Sequence, residues 1–289
     1  MNLKWILSLC FAMFQLSAAI PVLIIDGQNN HDFRATTPHL KQILEQTGLF
    51  TVDVATSPGK GGDMSTFKPD FKKYRVVVSN YNGEMWSEET QKAFVQFVRE
   101  GGGFVPVHAA DNSFPGWLDY NRMIAIGGWE GRNEKSGPYL RLRDGKWVHD
   151  ESPGRGGSHG KQHEFVVETR EASHPIMAGL PERWLHAKDE LYDRLRGPAE
   201  NVTVLASALA TKESGGSGEH EPLLMTIDFG KGRVFHTALG HNNGNDISAQ
   251  RCVGFIVTLQ RGVEWAATGK VTQKVPADFP TEDKIRLRE

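Results

Sequence analysis

The sequence predicts an α/β protein built on a mostly parallel sheet. Three observations carry that prediction. Short apolar runs such as Val22-Leu23-Ile24-Ile25 and Phe104-Val105-Pro106-Val107 alternate with stretches whose apolar residues repeat at helical spacing. The runs end in clusters of Gly, Asn, Asp and His, the residues that turn a chain at a strand end. With 289 residues, 39% hydrophobic and 24% charged, the chain has room for one large globular domain or two small ones. Its net charge of −2 gives no electrostatic footprint for nucleic acid.

Residues 1–19 read as a secretory signal peptide. Lys4 supplies a basic start, residues 5–14 an apolar core too short to span a bilayer, and Ser17-Ala18-Ala19 small residues for cleavage. An exported protein, secreted or periplasmic, is the expectation, with no membrane span after cleavage. Only Cys252 would then remain, inside an apolar helical pattern. That predicts a buried thiol with no disulfide partner and no nucleophilic role.

The domain is expected to span residues 20–269. Residues 22–26 form its first strand and run into the polar turn Gly27-Gln28-Asn29-Asn30-His31-Asp32. Thr36-Thr37-Pro38 predicts a helix start, Leu40, Ile43, Leu44 and Thr47 its inner face, and Gly48 its stop. Residues 52–54 and 75–79 are the next strands. Ser87 opens a second helix, with Glu88 and Glu89 in its first turn and Phe94, Val95, Phe97 and Val98 inward. Gly101-Gly102-Gly103 then leads into a buried strand that ends at His108-Ala109-Ala110-Asp111. Ligands of open α/β sheets bind beyond the carboxyl ends of the strands, which makes His108 the first candidate for chemistry.

From 112 to 162 the periodicity dissolves among glycines, charges and Trp117, Trp129 and Trp147, which predicts an insertion or lid over the strand ends. Residues 154–161 look superficially like a phosphate loop but lack the Walker spacing and a Ser or Thr after Lys161. No nucleotide cofactor is expected. Strands follow at 163–168 and 202–206, then a hairpin over 222–229 and 233–237, a last helix over 249–265, and a charged tail, 270–289, expected to fray.

Four histidines fall at strand boundaries: His31, His108, His163 and His241. Imidazole is both a metal ligand and an acid/base near neutrality. A divalent metal on His31, His108 and His163 is therefore a candidate cofactor, although no local metal spacing supports it. Asp26, Asp111, Asp189 and Glu190 could join as ligands, bases or orienting groups. His236 and His241 lie five apart, so strand parity allows only one of them into a site, and Gly240 favours His241. His39, His149, His159, His186 and His220 read as surface, loop or helix residues. The elbow-like position at the strand end is held by His108 and not by Ser or Cys, so acyl-enzyme chemistry is disfavoured. Aromatic residues including Trp129 and Tyr192 suit a carbohydrate cleft.

Several segments together resemble the ThuA-like, or trehalose-utilisation, family: Asn30-His31, residues 102–110, His163-Glu164-Phe165, His174-Pro175-Ile176, Asp189-Glu190-Leu191-Tyr192 and residues 232–241. The resemblance covers roughly residues 22–268. It implies a flavodoxin-like sheet, as in class I glutamine amidotransferases, with helices on both faces. His108 stands where those enzymes carry a nucleophilic cysteine, so glutaminase chemistry does not transfer. The implied substrate neighbourhood is trehalose and related disaccharides, through 3-keto sugars. On that reading His108 or His241 is a base and Glu190 a proton donor or orienter. Asn30, Asp111, Asp189, Tyr192 and Trp129 contact substrate, and a metal or donors from Asn30 and His31 stabilise an enediolate. Two alternatives stay open: a non-catalytic carbohydrate-binding protein, and an amidotransferase scaffold used for protein contacts.

Overall fold

The computed structural model describes residues 18–242, 244 and 246–289. Residues 1–17, which hold most of the expected signal peptide and Cys10, lie outside the described residues, as does Asn243.

The first four strands, β1 (Ile20–Asp26), β2 (Phe50–Thr56), β3 (Val76–Ser79) and β4 (Gly103–Pro106), pair in parallel in the order β2-β1-β3-β4. Val22 to Ile25 and all of β3 and β4 are buried, the continuous apolar pattern of strands covered on both faces. Two outlying ribbons follow: β5 (Tyr139–Arg143) with β6 (Lys146–Asp150), and β7 (Ser158–His159) with β10 (Tyr192–Asp193). The main sheet resumes with β8 (His163–Thr169), β9 (Arg183–Asp189), β11 (Val202–Leu209), β12 (His220–Phe229) and β13 (Gly232–Thr237). β13 lies parallel beside β4, and β12, β11, β8 and β9 continue outward antiparallel, giving nine strands in one mixed sheet. The α/β prediction therefore holds, with the parallel pairing confined to the first half.

The helices are α1 (Phe33–Glu45), α2 (Glu88–Arg99), α3 (Leu118–Ile124), α4 (Ser248–Arg251) and α5 (Val253–Thr268), and strand parity sorts them between the two faces. On β13, Phe235 meets Gly262 of α5, where an added Cβ would stand 2.0 Å from the ring. The next residue, His236, points the other way and its Nδ1 donates to the Ile124 carbonyl of α3 at 2.8 Å. α1 touches α5, whereas the Phe104 ring of β4 meets Phe94 of α2 and Tyr120 of α3. Helices thus cover both faces.

The structure departs from the sequence reading in five places. Asp32, not Thr36, caps α1, its carboxylate accepting from the Arg34 amide at 3.1 Å; Pro38 is carried inside the helix. β9 is a strand that the sequence pattern does not announce, because Arg183 and Lys188 interrupt its apolar residues. The stretch from 112 to 162 contains α3 and the β5–β6 ribbon. The last helix is broken at Cys252, which is buried and caps α5. The tail docks instead of fraying. Leu185 N donates to Thr281 O at 2.7 Å, Val253 N to Arg286 O at 2.9 Å, and Phe279 packs edge-on against Trp184.

Candidate functional site

Four side chains converge beyond the carboxyl ends of β1, β4, β9 and β13. They are His31, His108, Glu190 and His241, and one ligand-capable atom from each lies within 4.8 Å of the others, a group that could hold a metal ion. The ring of His31 stands 5.0 Å from that of His108 and 4.7 Å from that of His241.

Each is placed by a local device. His108 follows β4 with φ of 47°, a left-handed conformation uncommon outside glycine and typical of strained site residues. Its Nδ1 donates to the Ala238 carbonyl at 2.8 Å, so Nε2 is the atom turned into the group, 3.6 Å from Glu190 Oε2. Tyr192 stacks on the same ring at 4.3 Å. His241 is reached through Gly240, whose φ of 114° and 2.8 Å clearance from Phe255 exclude a side chain. Its Nδ1 lies 3.1 Å from Glu190 Oε2, and its Nε2 meets Gln162 Nε2 at 2.9 Å.

Asp189 ties these pieces together. Its Oδ1 accepts from the Glu190 amide (2.7 Å) and the His241 amide (3.0 Å), and its Oδ2 from the Gly240 amide (2.8 Å) and His186 Nε2 (2.8 Å). One fully buried carboxylate therefore sets the backbone of two members of the group.

The charges follow from burial and pairing. Burial alone would raise the Glu190 pKa, but contacts with His108 and His241 outweigh it and hold the carboxyl far below the usual carboxylate range. Burial opposes a charge on His108, yet Glu190 and Asp189 prevail and its pKa rises. On His31 the pull of Glu190 is outweighed. Burial, then the neighbouring His108 and His241, lower it to about 3, so it is neutral at physiological pH. Burial raises the Tyr192 hydroxyl well above its ordinary value.

The group forms part of the floor of a cleft of about 800 Å³, the size of a small-molecule site. His31 and Glu190 line the cleft; His108 and His241 stand behind them. Asn30, Asn82, Gln28, Trp129, Tyr192 and His159 complete much of its wall. The Trp129 ring lies 4.6 Å from that of Tyr192. Trp129 and the neighbouring Glu130 hold φ of 54° and 46°, so this rim also takes left-handed backbone.

Of the residues singled out from sequence, Asn30, Trp129 and Tyr192 reach the cleft. His163 does not join the group: it opens β8, and its Nδ1 donates to the Lys161 carbonyl at 2.7 Å. Glu190 and His241 complete the ligand-capable set in its place. Asp111 is fully buried with its Oδ2 3.3 Å from His236 Nε2, and Asp189 is equally sealed, so neither lines the cleft. Two residues beside Glu190 carry no signal in the sequence. His159 lies at the mouth of the cleft with Nε2 3.5 Å from Glu190 Oε1, and Gln162 Nε2 donates to the same oxygen at 3.2 Å. Both sit beside a glycine-rich loop with no periodicity to mark them. His186, read as a surface, loop or helix residue, is fully buried on β9 beside Asp189.

Residues 21–266 match the family model ThuA, described as trehalose utilisation. A crystal structure of a ThuA-like protein from Parabacteroides merdae is 55% identical and superposes with a TM-score of 0.92, covering 93% of this chain and 98% of that one. Another, from Bacteroides uniformis, is 17% identical with a TM-score of 0.55, over 89% and 95% of the two chains, and shares the fold. No curated protein matches the chain. No helix among the described residues is long and apolar enough to cross a membrane.

Proposed function

The chain belongs to the ThuA, or trehalose-utilisation, family, and on that premise we propose that its cleft processes an oxidised disaccharide or glycoside, one carrying a 3-keto group, by acid–base chemistry. The observation that carries the reading is an imidazole, His31, and an ionised carboxylate, Glu190, on the floor of a cleft walled by Trp129 and Tyr192, with His108 and His241 packed behind them. Aromatic faces suit the apolar faces of sugar rings. The cleft volume, about 800 Å³, suits a ligand of disaccharide size.

A ketone at C3 acidifies the C2–H bond. In our reading Glu190, ionised and facing the cleft, takes that proton as a bound sugar loosens the His108 and His241 contacts that keep its basicity low. The electron pair forms a C1–C2 double bond as the glycosidic C–O bond breaks, and the leaving oxygen collects a proton from solvent or a cleft imidazole. Isomerisation would begin with the same proton transfer. His31, neutral and on the same wall, is suited to face the ketone oxygen. His108 and His241 hold Glu190 from behind. Covalent catalysis through Cys252 gains no support, because that thiol is buried. We further propose that the protein works outside the cytoplasm, on the strength of its leader-like first residues.

The test is turnover of a 3-keto-disaccharide beside its unoxidised parent. The wild type should consume the keto sugar, and Glu190→Gln and His31→Ala should each lose about 100-fold or more. Binding of the keto sugar without turnover by the wild type would replace this reading with that of a carbohydrate-binding protein.

A further inference from the structure

We propose that His31, His108, Glu190 and His241 bind one first-row divalent transition-metal ion. Donor geometry carries this, whichever sugar, if any, is turned over.

Two buried imidazole nitrogens aimed into the group have no hydrogen-bond partner: His108 Nε2 and His241 Nδ1. The residues are 3% and 7% exposed, so water does not serve them freely. For His108 the tautomer is fixed. Its Nδ1 hydrogen is spent on the Ala238 carbonyl, and a neutral ring must then present a lone pair at Nε2. For His241 the Gln162 amide decides. It donates to Glu190 Oε1 at 3.2 Å and meets His241 Nε2 at 2.9 Å, which leaves Nδ1, 3.1 Å from Glu190 Oε2, as the inward atom whose proton an incoming cation displaces. A ring nitrogen of His31 and the Glu190 carboxylate close the set.

The spacing fits. Metal–donor bonds of about 2.1 Å put neighbouring donors about 3.0–3.5 Å apart and opposite donors about 4.2 Å apart. Here every pair already falls within 4.8 Å, so ligation asks only for small side-chain adjustments. Three imidazoles with one carboxylate select zinc, manganese, iron, cobalt or nickel over calcium and magnesium, which prefer all-oxygen sites. The group also has the outer support that metal sites carry. His108 is oriented by a backbone carbonyl, and Asp189 fixes the backbone of Glu190 and of His241. Because His31 and Glu190 face the cleft, an ion held here would supply a Lewis acid to an incoming carbonyl or hydroxyl.

The experiment is metal uptake without any sugar present. The purified protein is stripped with chelator, offered Zn²⁺, Mn²⁺ or Co²⁺ separately, desalted and analysed for bound metal; Co²⁺ also gives a visible absorption band. The wild type should take up about one ion per chain and gain thermal stability on loading. His31→Ala, on the cleft side of the group, and Glu190→Gln, which keeps the side-chain shape, should each weaken binding by about 100-fold or more. His163→Ala, outside the group, should bind as the wild type does. Failure of the wild type to bind any of the three ions overturns the proposal. So does uptake unchanged in both His31→Ala and Glu190→Gln. Uptake without keto-sugar turnover would refute only the proposed reaction, and full turnover by wild type that binds no ion would refute only the metal site.

Discussion

Replacing Asp189 by asparagine removes one charge from the centre of the site without changing its shape. The carboxylate accepts four hydrogen bonds, two at each oxygen. In Asp189→Asn the new amide could keep its carbonyl toward the Glu190 and His241 amides, but its NH₂ would then face the Gly240 N–H and His186 Nε2, donor against donor. Two charge-assisted bonds are lost, and His186, whose pKa is held at about 10 against its own burial by Cys252 and Asp189, loses its counter-charge. Breaking a buried pair of this kind costs about 3–5 kcal/mol. Relief of the Asp189 desolvation penalty argues for the lower end, about 3 kcal/mol. Urea denaturation should show that loss, and the melting temperature should drop by about 6–12 °C. Since Gly240 also loses its anchor, His241 should shift and keto-sugar turnover should fall by about 10-fold or more. A variant with wild-type stability and wild-type turnover would refute the role given to Asp189.

Other consequences follow from the same structure. Gly240→Ala meets both a positive φ and the Phe255 ring, so it should destabilise by more than about 1 kcal/mol and impair turnover; an unaffected variant would show that the loop can relax. Glu221→Gln removes the carboxylate that buried Arg141 Nη1 touches at 2.9 and 3.0 Å; since burial already lifts that carboxyl to about 7 and Asp150 lies 3.9 Å from Arg141 Nε, the loss in urea denaturation should be about 1–3 kcal/mol, and Arg141→Met with Glu221→Leu should recover much of it. The metal-stripped protein should be most stable near neutrality. Between pH 6.5 and about 3 the unfolded chain binds a proton at His31 that the fold refuses, so stability falls as pH drops through that window. The lowered Glu190 acts in the same direction, with its contribution present above 4.5 and lost in acid. The raised His108 acts oppositely: its contribution is present below 6.5 and lost as pH rises through its folded value. Denaturation curves across pH measure both limbs, and a flat profile would contradict the assigned charges.

Much of the parallel half of the fold was legible because each strand there is a continuous apolar run closed by a polar turn. β1, β3 and β4 announce themselves, and so do the turns that hold His31 and His108. His241 was legible from parity and from Gly240. In the antiparallel half β8, β11 and the β12–β13 hairpin were legible too, and β9 was not, because its local pattern is mixed. β9 carries Arg183 and Lys188 among its apolar residues. His163 misled for a related reason. It starts its strand, and a strand start on an antiparallel neighbour says little about the direction of a ring. His159 and Gln162 were invisible because His159 sits on the two-residue strand β7 and Gln162 just after it, a segment placed by its pairing with β10 and not by its own sequence. The charge on the tail suggested fraying, but its backbone carbonyls accept from β9 and α5, and Phe279 packs on β9.

The most direct measurement of the proposed chemistry is exchange of the proton next to the ketone. A 3-keto-disaccharide is incubated with the protein in D₂O and followed by NMR. Wild type should bring deuterium into C2 or into the product derived from it, and Glu190→Gln should abolish that incorporation while keeping the fold. Cleavage or binding of the keto sugar with C2 untouched would contradict proton abstraction at this cleft.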